Sequence, residues 1–224
     1  RRKIEIMKRI LRLSLTAVLG FFIALAIVRI SGCTPDPILP RTASISGGYI
    51  PAETSVVDSQ FNFHIATPFL WRSAQPSEEA LVRMKKHGLK TVINLRRDEA
   101  NDSWEKAVAE RIGLGYYYFP MEAHDEHDLG QIEQILAVIQ DPANQPALIH
   151  CAGGKDRTGL IAAIYKIQYS GQDFEDVYKE MLMFGYHQDR YPAVLRTIRR
   201  WCETHNRPDV VAKISQDGRT VAEA

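Results

Sequence analysis

Cysteine is scarce in this chain, three among 224 residues, too few for a disulfide framework to hold a small core together. There is no internal repeat and no low-complexity tract. The 14 glycines and 11 prolines lack the period of a collagen-like chain. With 45% hydrophobic and 25% charged residues, the composition also excludes a disordered polymer, and the length fits one domain of ordinary size plus appendages. A net positive charge is missing from most of the chain. Residues 1–12 hold six basic side chains against Glu5, so the remainder carries 22 basic and 26 acidic residues. A mildly acidic body excludes a general nucleic-acid binder, which needs a basic face for the phosphate backbone.

The basic cluster precedes Leu13–Val28, sixteen residues without a charge. Extended to Ile10 and Ile30, the segment is long enough for a helix of roughly 30 Å, the thickness of a bilayer core, with Arg12 and Arg29 able to snorkel at its ends. Three readings stay open for residues 1–30. The favoured one is an uncleaved anchor with its amino terminus cytoplasmic and the rest of the chain extracytoplasmic (periplasmic). Another is a cleaved signal peptide giving a secreted product. The third is a lipoprotein signal, since Ile30-Ser31-Gly32-Cys33 resembles a lipobox whose cysteine is lipidated. Residues 31–52, rich in Pro, Gly, Ser and Thr, read as a linker.

The globular part is expected at 53–205. Short apolar runs (69–71, 91–95, 116–121 and 147–150) alternate with helical patterns at 77–87, 103–112, 129–140, 158–169, 173–183 and 190–204. That alternation predicts an α/β fold, a parallel-rich sheet of about four to five strands flanked by helices. The polar stretch 206–224 reads as a flexible tail.

The chemistry concentrates in Ala147-Leu148-Ile149-His150-Cys151-Ala152-Gly153-Gly154-Lys155-Asp156-Arg157-Thr158-Gly159. A buried strand empties into a cysteine, five residues, an arginine and a helix, and in an α/β sheet ligands bind at such strand ends. Gly153 and Gly154 let the backbone turn its N–H groups inward as an anion nest, to which the helix adds its positive end. Arg157 can grip two phosphoryl oxygens with its fork. The same field favours the thiolate of Cys151, the nucleophilic form.

His150–Gly159 resembles the signature loop of the cysteine-dependent protein tyrosine phosphatases, and Gly-Lys-Asp-Arg-Thr-Gly with Trp71-Arg72-Ser73-Ala74-Gln75-Pro76 points to the atypical dual-specificity branch found in bacteria and fungi. The resemblance covers about 150 residues from Phe61 onward and implies a dual-specificity phosphatase-like fold. It implies that Cys151 forms a phosphocysteine and that Arg157 and the N–H groups from Ala152 through Gly153, Gly154, Lys155 and Asp156 bind the phosphoryl oxygens. Thr158 would hydrogen-bond the leaving thiolate, and His150 would orient the loop from behind. It implies neither metal nor cofactor.

A general acid is expected on a loop before the cysteine. Asp125, 26 residues upstream, best matches the family position. Asp128, 23 upstream, and Asp156 inside the loop remain alternatives, Asp128 equally readable as a helix cap. Lys155 matches the position at which tensin-type lipid phosphatases contact inositol ring phosphates, although Ala152 stands where those enzymes carry a basic residue. Expected substrates are therefore phosphotyrosine-type phosphoproteins, with phosphoinositides or inositol phosphates as the alternative. A catalytically weak phosphate-binding pseudophosphatase is the reading from another class. Arg72, Arg96 and Arg97 are expected in structural ion pairs with Asp98 or Glu99, and Cys202 has no assignable partner.

Overall fold

A computed structural model of the chain describes residues 61–216. The expected membrane or signal segment, Cys33 and the linker lie outside the described residues. Among the described residues, no helix is long and apolar enough to cross a membrane.

Five strands, β1 (His64–Thr67), β2 (Leu70–Ser73), β3 (Thr91–Asn94), β4 (Gly115–Tyr118) and β5 (Ala147–His150), form one sheet in the order β1-β2-β5-β3-β4. β1 pairs antiparallel to β2, and the remaining pairs are parallel. β5 is therefore the central strand, in register with Leu70–Ser73 on one side and Thr91–Asn94 on the other. Its apolar run is covered on both faces, as parallel strands require.

Alternation along the strands sorts the core into two clusters. Trp71, Val92 and Leu148 face α1 (Glu78–Lys86) and α2 (Glu99–Ile112). Leu70, Ile93, Ala147 and Ile149 face the other layer: α3 (Leu129–Gln140), α4 (Asp156–Tyr169), α5 (Phe174–Met183), α6 (Ala193–Thr204) and α7 (Pro208–Gln216). Side-chain caps start most of these helices: Ser77 accepts from Ala80 N, Asp98 from Asn101 N, Asp128 from Gly130 N and Asp173 from Glu175 N. α4 differs. Its N-cap, Lys155, provides no side-chain acceptor, and residues 158–167 are buried all round. The first N–H groups of α4 thus remain available at the mouth of the central strand.

Two expectations need correction. Residues 208–216 form α7 rather than a flexible tail, because Val210 and Ile214, one helical turn apart, bury completely in the core. Residues 99–102 belong to α2, which starts from the Asp98 cap rather than at Ser103.

Candidate active site

The loop from Cys151 to Lys155 is held by its carbonyls. Gln75 N donates to Ala152 O at 3.1 Å. Asn62 Nδ2 donates to Gly153 O and Gly154 O at 3.2 and 3.3 Å, and Arg72 Nη2 to Gly154 O at 2.8 Å. With these oxygens fixed outward, the N–H groups of Ala152, Gly153 and Gly154 donate to no carbonyl among the described residues. Gly154 has φ +66°, and an added Cβ would lie 2.5 Å from the Ser73 carbonyl. Only glycine fits there. Cys151, a free thiol 3% exposed, sits where β5 ends and this ring of donors begins.

Arg157, the second residue of α4, is half-buried, and its Nη1 donates to Met121 O at 3.1 Å and to Leu95 O at 3.4 Å. Those carbonyls lie just beyond β4 and β3, so two neighbouring strand ends aim the guanidinium, whose Nε has no protein partner. Thr158 Oγ1 is buried without a hydrogen-bond partner, including Cys151 Sγ, so the hydroxyl–sulfur bond expected from the resemblance is not formed. His150 is fully buried, its Nε2 3.0 Å from Glu105 Oε2 but outside hydrogen-bond geometry. Glu105, also fully buried, accepts from Gln75 Nε2 at 3.0 Å and Tyr116 Oη at 3.4 Å, and Gln75 Oε1 accepts from Arg96. A polar network therefore underlies the loop on the α1–α2 side.

The segment 122–128 leaves β4 toward the same strand ends. Asp125 is exposed. Its neighbour His127 is buried with Nε2 unpartnered, and burial together with the Arg157 charge lowers its pKa to about 4 against a small opposing pull from Asp125. The Arg157 bond to Met121 O, one residue before this segment, ties it to the phosphate loop. Asp128 caps α3 through Gly130 N at 3.0 Å, as its position allows. Asp156 is largely buried; its Oδ1 accepts from His187 N at 3.1 Å, and desolvation raises its pKa. The stem of Lys155 lies over Gly185, whose added Cβ would be 3.2 Å from Lys155 Cδ.

Against this geometry, the family model described as "DSP-PTPase phosphatase fused to NAD+ Kinase" matches residues 53–189. The chain belongs to this phosphatase family. It is 30% identical over 177 residues to the dual specificity protein phosphatase TpbA of Pseudomonas aeruginosa, covering 79% of this chain and 73% of TpbA. It is also 30% identical over 116 residues to the inositol diphosphatase SIW14 of Saccharomyces cerevisiae, covering 48% of this chain and 40% of that protein. The crystal structure of P. aeruginosa TpbA matches with a TM-score of 0.56 at 27% identity, covering 72% of this chain and 98% of that one. The core catalytic domain of SIW14 from S. cerevisiae, at 20% identity and a TM-score of 0.56 over 78% of this chain and 98% of that one, shares the fold. The chain is a cysteine-dependent protein tyrosine/dual-specificity phosphatase in class, consistent with the loop it carries.

Of the arginines expected in ion pairs, Arg96 pairs with Asp98 at 2.7 Å, Arg97 pairs instead with Glu122, and Arg72 pairs with neither acid. Sequence reasoning also missed Asn62, Glu105 and His127. They lie 89, 46 and 24 residues before Cys151, and no local pattern ties them to it.

Proposed function

We propose that this phosphatase hydrolyses phosphotyrosine-type phosphomonoesters of proteins through a phosphocysteine. In this reading the Cys151 thiolate attacks phosphorus, and the ester P–O bond breaks as Asp125 gives its proton to the departing oxygen. Water then attacks the phosphocysteine, Asp125 takes a proton from it, and Cys151 leaves as thiolate with Thr158 nearby. Arg157 and the N–H groups of residues 152–157 hold the three equatorial oxygens throughout, so charge developing on them meets fixed donors. One observation supports this most: every loop carbonyl from Ala152 to Gly154 is tied outward, leaving the N–H groups around Cys151 for an anion.

Asp125 suits the acid role because its rivals are engaged, Asp128 by Gly130 N and Asp156 by His187 N. A second reading, an inositol phosphate or phosphoinositide as substrate, is favoured by similarity to the inositol diphosphatases of yeast and Arabidopsis thaliana. Steady-state turnover of a phosphotyrosine peptide, a phosphoserine peptide, phosphoinositides and inositol hexakisphosphate, each against Cys151→Ser, separates the two. Preference for phosphotyrosine supports the first reading, and preference for inositol-bearing substrates the second. No Cys151-dependent turnover leaves a phosphate-binding pseudoenzyme. The reading extends to location: Leu13–Val28 would deliver the domain outside the cytoplasm and hold it at the membrane, which fractionation and protease accessibility of whole cells test.

A further inference from the structure

Arg72 stands at the end of β2 beneath the phosphate loop and is 1% exposed. Its Nη2 donates to Gly154 O at 2.8 Å, and its Cζ lies 4.6 Å from the centre of the Phe184 ring. Its Nε has no hydrogen-bond partner. Among the described residues no carboxylate reaches it within ion-pair distance: Glu180 pairs with Lys166, and Asp156 turns to His187 N. A buried cation without an anion is strongly unfavourable.

The groups that face Arg72 define what could balance it. Glu180 comes from α5, Cys151 from the end of β5, Asp156 from the first turn of α4 and His64 from β1. Burial brings the Arg72 pKa down to about 10, with Glu180, Cys151 and Asp156 opposing, so the guanidinium stays charged at neutral pH. His64, pushed to about 4, stays neutral and adds no competing charge. Lys166 already absorbs Glu180 and Asp156 turns to His187 N, while Arg72 stands opposite Ile149 in the β2–β5 register, on the sheet face to which Cys151, two residues further on, also belongs; this leaves the sulfur of Cys151.

We propose that Arg72 is a positioning residue that holds Gly154 in register and supplies, from beneath the loop, the buried positive charge that balances the Cys151 thiolate before substrate arrives. Arg157 then serves the phosphoryl group from the open side, and the two guanidiniums divide the work. This rests on the reading of Cys151 as nucleophile.

The test is the rate of iodoacetamide alkylation of Cys151 against pH in the full chain, read on the Cys151 peptide by mass spectrometry. Arg72→Gln keeps a donor for Gly154 O without charge, Arg72→Met keeps neither, and Arg72→Lys keeps charge. At pH 6 the Gln and Met variants should react about tenfold more slowly than wild type, because less of the sulfur is held as thiolate. Arg72→Lys should recover most of the rate, and all should converge at high pH. Wild-type alkylation profiles in the Gln and Met variants would overturn the proposal and leave Arg72 a mechanical support. Should both fail to fold, Glu180→Gln removes the anion offsetting Arg72 and should shift the profile to lower pH; an unmoved profile overturns the proposal equally. Alkylation needs no substrate. An Arg72-dependent profile in a protein that turns over no phosphomonoester would therefore defeat the phosphatase reading and leave this one standing.

Discussion

Replacing Gly154 by alanine is the sharpest perturbation the phosphate loop offers. At φ +66° a residue with a Cβ loses roughly 1–2 kcal/mol to backbone strain. The new methyl would lie 2.5 Å from both the carbonyl carbon and oxygen of Ser73 and 2.6 Å from Ala74 N, all backbone atoms of β2 and its exit. Relief requires the loop or the strand end to retreat, and such overpacking costs about 1–3 kcal/mol more. The total, roughly 2–5 kcal/mol, corresponds to a loss of about 5–15 °C in Tm for a domain of this size. The retreat also pulls Gly154 O from Arg72 and Asn62, and a misplacement near 1 Å lowers turnover by about a hundredfold. Gly171→Ala is the control, because Gly171 has φ +62° with nothing within 4 Å of an added Cβ. It should lose only the strain, about 1–2 kcal/mol, and keep wild-type kcat. Urea titration and turnover at matched folded fraction measure both. A Gly154→Ala protein with the urea midpoint and kcat of Gly171→Ala would refute the claim that close approach to β2 shapes the loop.

Other perturbations address the network, the acid and the pH response. Glu105→Leu removes the buried acceptor of Gln75 Nε2 and sets an apolar side chain where His150 Nε2 meets a carboxylate at 3.0 Å, and should cost about 1–3 kcal/mol by urea titration; an unchanged midpoint would mean the network is idle. Asp125→Asn should slow phenyl phosphates with poor leaving groups by about a hundredfold and barely affect nitrophenyl phosphate. The same pattern in Asp156→Asn instead would move the acid into the loop. His64 and His127 titrate near 4 in the fold against 6.5 in the unfolded chain, so below pH 6.5 the unfolded chain binds more protons. Stability is then complete above pH 6.5 and drains as pH falls toward 4, by up to about 3 kcal/mol for each histidine. Urea midpoints between pH 7 and 4.5 should fall, and His127→Asn should flatten the descent; a flat wild-type profile would show that these imidazoles are not held neutral.

Much of the frame was legible because parallel strands buried on both faces are continuous apolar runs, as in Thr91–Asn94 and Ala147–His150, and because Gly113 and the acidic caps punctuate the helices. β1 was not. His64–Thr67 is a short edge strand whose register slips between Ile65 and Thr67, with Pro68 behind it, so no alternation marks it. α7 was hidden by its short length and polar neighbours, its burial resting on Val210 and Ile214 with Val211 partly buried beside them. In the site, Cys151, Gly154 and Arg157 could be recognised because one loop holds them and their chemistry is local. The partners that shape the loop arrive from the segment before β1, from β2 and from α2, where only the fold brings Asn62, Arg72 and Glu105 beneath it. A lone arginine beside a strand reads as half of an ion pair; its burial without an acid is visible only in three dimensions.

The most direct test of the phosphatase account is a rapid-quench experiment with a phosphotyrosine peptide, mapping phosphoryl groups on the protein by mass spectrometry. The account predicts a phosphoryl group on Cys151 that builds up within the first turnover, decays with release of inorganic phosphate, and is absent, together with turnover, from Cys151→Ser. Turnover that persists in Cys151→Ser, or that proceeds with the phosphoryl group found on another residue, would contradict it.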